Sequence, residues 1–138
     1  FAGITLQTSD LGAHVGFVEA ALAEGRDVVA SYTRRFGTDR DAPAWMFVRA
    51  WLLARDLPAG SDATARTQRR GAITEALALL DGVASRLPRD PWVHHLRAFL
   101  EMARFHDTGS RDAAVAGQTH ALLALELGRD DPRLTARA

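Results

Sequence analysis

The sequence predicts an all-α domain of about six helices, arranged as antiparallel helical hairpins. Apolar residues recur at spacings of three and four in six segments, which is the pattern of helices that bury one face. Proline, glycine and aspartate separate these segments at short intervals, and short connections favour antiparallel neighbours. A chain of 138 residues can bury one sizeable core, so we expect a single domain over residues 1–138. The alternation typical of strands is absent, apart from a possible extended stretch at residues 3–8.

The first predicted hairpin comprises two helices. Ser9 or Asp10 is the candidate N-cap of the first helix, and Gly25 is its expected end. The apolar stripe of this helix contains Leu11, Val15, Val18 and Leu22. A shorter stripe predicts a second helix that ends at Gly37, and it contains Val28, Val29, Tyr32 and Phe36.

A third and a fourth helix are predicted on either side of a long polar segment. Asp41 and Pro43 open the third helix, whose apolar face contains Trp45, Val48, Trp51 and Leu52. Residues 57–71 have little apolar content, so we expect a long, mobile loop with at most a short helical turn from Ala63. Pro88 ends the fourth helix, whose stripe contains Ile73, Leu77, Leu80, Ala84 and Leu87.

The last predicted hairpin has clear boundary signals. Asp90 and Pro91 form an N-cap and first-turn pair for the fifth helix, which should run to about Arg104. A turn at residues 106–110 separates it from the sixth helix, predicted over residues 112–127 and ended by Gly128.

The composition excludes several classes of function. The chain has 17 basic and 17 acidic residues, so it lacks the broad charged field that nucleic acid or an anionic membrane would require. No apolar run is long enough to span a bilayer, and the first residues lack the pattern of a signal peptide, so we expect a cytoplasmic protein. Cysteine is absent, which excludes disulfides and thiolate metal sites. Every basic residue is arginine, a bias that favours a bacterial source with a GC-rich genome.

Two segments of the chain echo each other. "DAPAWMFVRAWLLAR" and "RDPWVHHLRAFLEMAR" share a proline, an aromatic residue and then Arg-Ala-aromatic-Leu. Pro43, Pro91 and Pro132 follow at intervals of 48 and 41 residues, which divides the chain into possible units at 9–40, 41–88 and 90–131.

This pattern resembles the tetratricopeptide repeat family, most clearly in the middle unit. The matching positions are Trp45, Val48, Leu52, Ala76, Leu80, Val83 and Pro88. Arg49 and Arg97 depart from the family pattern, which favours a small residue there. The resemblance implies a superhelix of stacked hairpins, and an irregular helical bundle remains the alternative.

Stacked hairpins leave a face formed by the first helix of each pair, and side chains on it are free to bind a partner. We therefore predict a protein- or peptide-binding module with a groove on that face. The candidate binding residues are Arg49, His94, Arg97 and Glu101. Two arginines at equivalent positions of two units could hold a carboxylate-bearing segment through paired hydrogen bonds. Trp51 and its counterpart Phe99 are expected to pack in the core.

The alternative is a helical enzyme or small-molecule-binding protein. Its pocket would lie between helices near Trp51, Phe99, Met102 and His106. We name no catalytic residue, because no nucleophile motif or convergent acid–base pair is evident. We also expect no metal or other cofactor, since His95 and His106 are about 16 Å apart on a helix.

Overall fold

A computed structural model describes residues 10–137 of the chain. These residues form six main helices and a short seventh, and no strand occurs among them. The helices are α1 (Leu11–Ala23), α2 (Val28–Phe36), α3 (Pro43–Arg55), α4 (Ala63–Arg86), α5 (Pro91–Thr108), α6 (Arg111–Leu127) and α7 (Pro132–Thr135). The all-α prediction is confirmed. The stretch at 3–8 and Ser9 lie outside the described residues.

Side-chain caps explain where most helices begin. Asp10 accepts a hydrogen bond from the amide of Ala13 at 3.1 Å, and Asp90 accepts one from the amide of Trp92 at 2.8 Å. The same function is served at α2, α4, α6 and α7 by Asp27, Asp62, Ser110 and Asp131. Helix α3 differs because Ala42 occupies its N-cap and Pro43 supplies the fixed φ of the first turn.

Helix α4 corrects the prediction of a long loop at 57–71. The helix begins at Ala63, so the connection from α3 spans only residues 56–62. Arg69 donates to the carbonyl oxygens of Pro58 and Gly60 at 3.0 and 2.9 Å, which ties this connection to the helix. Arg69 and Arg70 also donate to Asp107 at 3.1 and 2.6 Å. Long-range polar contacts therefore stabilise a helical turn that its own apolar content does not predict.

Two smaller differences concern the last hairpin. Helix α5 continues to Thr108, four residues beyond the predicted end at Arg104, and Gly109 ends it with a positive φ of 71°. The short helix α7 was not predicted, and its Leu134 is buried in the main core.

Consecutive helices pack in pairs, α1 with α2, α3 with α4 and α5 with α6. Short connections make each pair an antiparallel hairpin, as predicted. Helix α3 contacts both α1 and α5, and α4 contacts α5, so the first helices of the hairpins lie side by side. Gly117 on α6 faces the Met102 side chain, where a Cβ would meet the sulfur at 2.7 Å, so this glycine allows the close approach of the last pair.

The buried apolar residues form two clusters. The larger joins all three hairpins and α7, and it includes Phe47, Leu80, Trp92, Leu100 and Leu134. The smaller lies between α1, α2 and α3, and it includes Val18, Tyr32, Trp45 and Val48. Trp51 packs against both clusters, although it is only partly buried. The core prediction for Trp51 therefore holds only in part.

Candidate functional site

A groove of about 290 Å³ lies between α1, α3 and α5, the first helices of the three hairpins. We call it the three-helix groove. Its principal side chains are Glu19 from α1, Trp51 and Arg55 from α3, His95 and Phe99 from α5, and Arg137 from the segment after α7. A groove is thus present on the elements where the sequence placed one.

The helical period explains which side chains reach this groove. Trp51 and Arg55 are four residues apart on α3, and His95 and Phe99 are four apart on α5, so each pair shares a helix face. Trp51 and Phe99 are also equivalent positions of the two echoing segments. The echo therefore places two aromatic rings on the same groove.

Arg137 lines the groove and lies over two neighbouring indole rings. Its guanidinium carbon lies 5.4 Å from the ring centre of Trp51 and 5.5 Å from that of Trp92. The two rings are 6.0 Å apart with an interplanar angle of 60°. The same guanidinium donates to Glu19 Oε1 at 2.6 Å. This cation therefore contacts two aromatic rings and one carboxylate while remaining partly exposed.

His95 lines the groove next to Trp92, with the two ring centres 6.0 Å apart. Burial, and then the positive charge of Arg137, lower the pKa of His95. The imidazole is therefore held in its neutral form beside the arginine.

A second, more apolar groove of about 450 Å³ adjoins the first, between α5, α6 and α7. We call it the apolar groove. Met102, Ala121, Leu125 and Leu134 contribute apolar surface to it. The two grooves share His95, Phe99 and Arg137, so they form one continuous depression.

The structure corrects the expectation that Phe99 packs in the core. This side chain is 52% exposed. Its helix face borders both grooves instead of a neighbouring helix, so the apolar ring that echoes Trp51 remains accessible to solvent. Leu125, which is 47% exposed, lines the apolar groove with Phe99, so the two side chains form an exposed apolar surface there.

Three of the predicted binding residues lie on another face of α5, towards α4 and α6. His94 Nδ1 lies 2.9 Å from His120 Nδ1 on α6, and the two rings stack at 18°. The other ring nitrogen of His94 donates to the Pro88 carbonyl oxygen at 3.1 Å. Both ring nitrogens of His94 are therefore engaged within the chain.

Arg97 and Glu101 also have partners inside the fold. Arg97 forms an ion pair with Asp81 at 2.7 Å, and Glu101 forms one with Arg104 at 2.9 Å while only 6% exposed. The charges of Arg97 and Glu101 act on His120 in opposite senses. Partial burial of His120, and then the charge of Arg97, lower its pKa. These residues form one polar cluster, separate from the three-helix groove.

Arg49 lies apart from the other three candidates. It lines a shallow groove between α2, α3 and α4, together with Arg40 and Glu75. Trp45 lines it too, and its buried indole nitrogen has no hydrogen-bond partner among residues 10–137. The structure therefore does not bring the two predicted arginines, Arg49 and Arg97, to one site.

The remaining histidines do not assemble into a site. His106 is exposed and does not line the apolar groove, and its ring is tilted by 52° from that of Phe105, with ring centres 5.6 Å apart. Across residues 10–137, no three side chains of the His, Asp or Glu type are grouped as metal ligands.

Sequence reasoning missed four residues of the three-helix groove, namely Glu19, Arg55, His95 and Arg137. The spacing of His95 and Phe99 already placed both on one face, which was a usable signal. No local pattern identified Arg137, because its position depends on how α7 and the segment after it pack against the other helices.

The chain was compared with protein-family models, curated proteins and solved structures, and none of the three comparisons gives a match. Among the described helices, none combines the length and the apolar character needed to cross a membrane.

Proposed function

We propose that this chain is a protein- or peptide-binding helical-repeat module, and that the three-helix groove is its binding surface. The observation that carries the proposal is the exposed ring of Phe99, which lies beside Trp51 on the first helices of two hairpins. The hairpin packing is compatible with the tetratricopeptide-like arrangement proposed from the sequence. A cytoplasmic, bacterial setting is part of the proposal and rests on composition alone.

The shape of the depression supports an extended ligand. The two grooves are partly open and continuous, so a segment of several residues could lie along them. Aromatic and apolar side chains supply contact area, and the charges of Glu19, Arg55 and Arg137 border one end. Interfaces of this kind depend on a few large rings for most of their binding energy.

A displayed-peptide selection on the purified chain tests this proposal. Selected peptides should bind in calorimetry, and Phe99→Glu should weaken them by about tenfold or more through loss of the central ring. Leu122→Glu is the matched control, because Leu122 is a 68% exposed apolar residue on α6 that lines neither groove. The control should bind within about twofold of the parent chain.

Two results would contradict the proposal. Selected peptides that bind equally to the parent chain and to Phe99→Glu would place the interaction elsewhere. If substitution of Arg49 or Arg97 weakened peptide binding and substitution of Phe99 did not, the binding surface would be the one predicted from the sequence.

The second candidate is a small-molecule-binding protein or enzyme, favoured by one observation. The apolar groove is large enough for a small apolar ligand and is lined mainly by apolar side chains. Ala121→Phe should fill part of this groove, so it should abolish binding of an apolar dye there. The same substitution should leave the affinity of selected peptides for the Trp51 end nearly unchanged if the first proposal holds.

A further inference from the structure

The seat of Arg137 is unlike any other arginine environment among residues 10–137. Arg26, Arg35 and Arg40 each lie over a single aromatic ring. Only Arg137, within the described part of the chain, lies over two rings and also meets a carboxylate across the groove. We call the side chains of Trp51, Trp92 and Glu19 the cation seat.

The chemistry of the cation seat selects a positive, planar group. The faces of indole rings attract cations through their quadrupole, and tryptophan does so most strongly. Glu19 adds a full negative charge that a guanidinium can meet with directed hydrogen bonds. A carboxylate placed there would face both Glu19 and the negative faces of the rings, so the seat would reject it.

The groove contains no free arginine that would offset this preference. Arg55, the other groove arginine, forms an ion pair with Asp56 at 2.9 Å. His95 is held neutral by its surroundings, so it adds no positive charge to repel a second cation. Without Arg137, the charges left near the seat among residues 10–137 are those of Glu19, the Arg55–Asp56 pair, Asp131 beside the Trp92 indole nitrogen, and Arg133, so three acidic groups face two arginines.

Arg137 is held in the seat by contacts that a competitor could replace. Its side chain is 32% exposed and that of Glu19 is 45% exposed, so the ion pair is open to water. Arg137 follows α7 without belonging to it, whereas Leu134 anchors that helix in the core. The Arg137 side chain can therefore leave the cation seat while Leu134 stays buried in the core.

We propose that the three-helix groove recognises an arginine side chain of its partner, and that Arg137 occupies the cation seat until that side chain displaces it. This inference rests on the proposed function and names the partner's chemistry. The partner segment presents a guanidinium to Trp51, Trp92 and Glu19, and an adjacent apolar side chain enters the apolar groove beside Phe99. Arg137 is thus an internal competitor, and it lowers the apparent affinity by the fraction of time that it fills the seat.

Chemical replacement of the missing side chain provides the test. In Arg137→Ala the vacant seat should bind Nα-acetyl-arginine amide, detected through the indole N–H resonances of Trp51 and Trp92. Nα-acetyl-citrulline amide has nearly the same shape without the charge, and it should bind about tenfold more weakly or worse. The parent chain should bind the arginine probe about tenfold more weakly than Arg137→Ala, because Arg137 competes.

Two further variants separate the seat from general effects. Glu19→Gln in the Arg137→Ala background should weaken the arginine probe by about fivefold or more, since the carboxylate is lost. Arg26→Ala is the matched control, because it removes an arginine that lies over the single ring of Phe17 and lines neither groove. That control should leave the affinity of the parent chain for the probe unchanged.

Each outcome supports or overturns one part of the inference. Equal binding of the arginine and citrulline probes, or no binding to Arg137→Ala, would overturn recognition of a cation. Equal binding of the arginine probe to the parent chain and to Arg137→Ala would overturn displacement. In all these cases peptides that depend on Phe99 would still uphold the proposed binding function, so the two failures can be told apart.

Discussion

The chain gathers aromatic rings next to arginines in two places, and only one of them is closed. The closed cluster lies between α1, α2 and α3 and consists of His14, Phe17, Tyr32, Phe36 and Trp45. Tyr32 and Trp45 are 1% and 2% exposed, and Tyr32 Oη lies 2.8 Å from His14 Nδ1. Each arginine at this cluster lies over a single ring: Arg26 over Phe17, Arg35 over Phe36 and Arg40 over Trp45.

The three-helix groove uses similar residues with the opposite result. Phe99 is half exposed, and Arg137 lies over two rings instead of one. In the closed cluster the second helix of the first hairpin fills the space between its neighbours. Between α1, α3 and α5 no second helix enters, so the space is left as a groove. Exposure of an aromatic stripe therefore depends on which neighbour packs against it.

The largest expected effect on stability comes from removing one tryptophan ring from the closed cluster and one from the three-helix groove. Trp45→Ala should lower the free energy of unfolding by about 3–5 kcal/mol, because the ring is buried and leaves a cavity. Trp51→Ala should cost clearly less, about 2 kcal/mol, because part of its ring already contacts solvent. Chemical denaturation of both variants measures the difference. A larger loss for Trp51→Ala would show that the groove is as closed as the cluster.

A smaller effect is expected from the polar contact inside the closed cluster. Tyr32→Phe removes the hydrogen bond to His14 and keeps the ring, so it should cost about 1 kcal/mol. Thermal or urea unfolding provides the measurement. An unchanged stability would mean that this buried contact adds nothing beyond the packing of the ring.

The free energy of unfolding should depend on pH through His95, which lines the three-helix groove. Its pKa is lower in the folded chain than the value of about 6.5 in an unfolded chain, so unfolding takes up a proton in this range. Stability should therefore fall as the pH drops through about 6.5 and level off below the folded pKa. His95→Gln should reduce this slope between pH 7 and 5. An identical slope in parent and variant would assign the effect to His120, whose pKa is also lowered, mainly by burial.

The smallest expected effect on stability belongs to Phe99. Phe99→Ser should change the free energy of unfolding by less than about 0.5 kcal/mol, because the ring is half exposed. The same substitution is expected to remove peptide binding. A loss of stability comparable to that of Trp45→Ala would show that Phe99 is a core residue, as the sequence echo predicts.

Most of the helix boundaries could be predicted from local signals. Asp10, Asp90 and the prolines at 43 and 91 act within one turn of the chain, so the sequence alone reveals them. The first turns of α4 could not be predicted in this way. Arg69 and Arg70 hold Asp107, which is 38 and 37 residues away, and no local pattern records that contact.

A depression lies between the first helices, where the sequence predicts a groove, but most of its lining residues could not be predicted. The repeat echo predicts stacked hairpins, and α3 contacts both α1 and α5 in the structure, but the repeat assignment itself stays a prediction. It does not fix the rotation of α5, which directs His94 and Arg97 towards α6 and α4 and leaves His95 and Phe99 on the groove. That rotation depends on packing against neighbouring helices, including the close approach of Gly117 on α6 to Met102 within the last hairpin. Adjacent residues are about 100° apart around the helix axis, so the rotation of α5 decides which of them faces the groove.

The contacts between α1 and the segment after α6 join distant parts of the chain. Arg137 and Glu19 are 118 residues apart in sequence, and Arg133 approaches Asp10 to 4.0 Å. Trp92 packs against Gly12 while its indole nitrogen donates to Asp131 at 2.8 Å. In an open array each hairpin touches only its neighbours, so the outermost units can fray independently. Here the first and last hairpins share contacts, so an opening at either end removes support from the other, and the domain should unfold cooperatively as one unit.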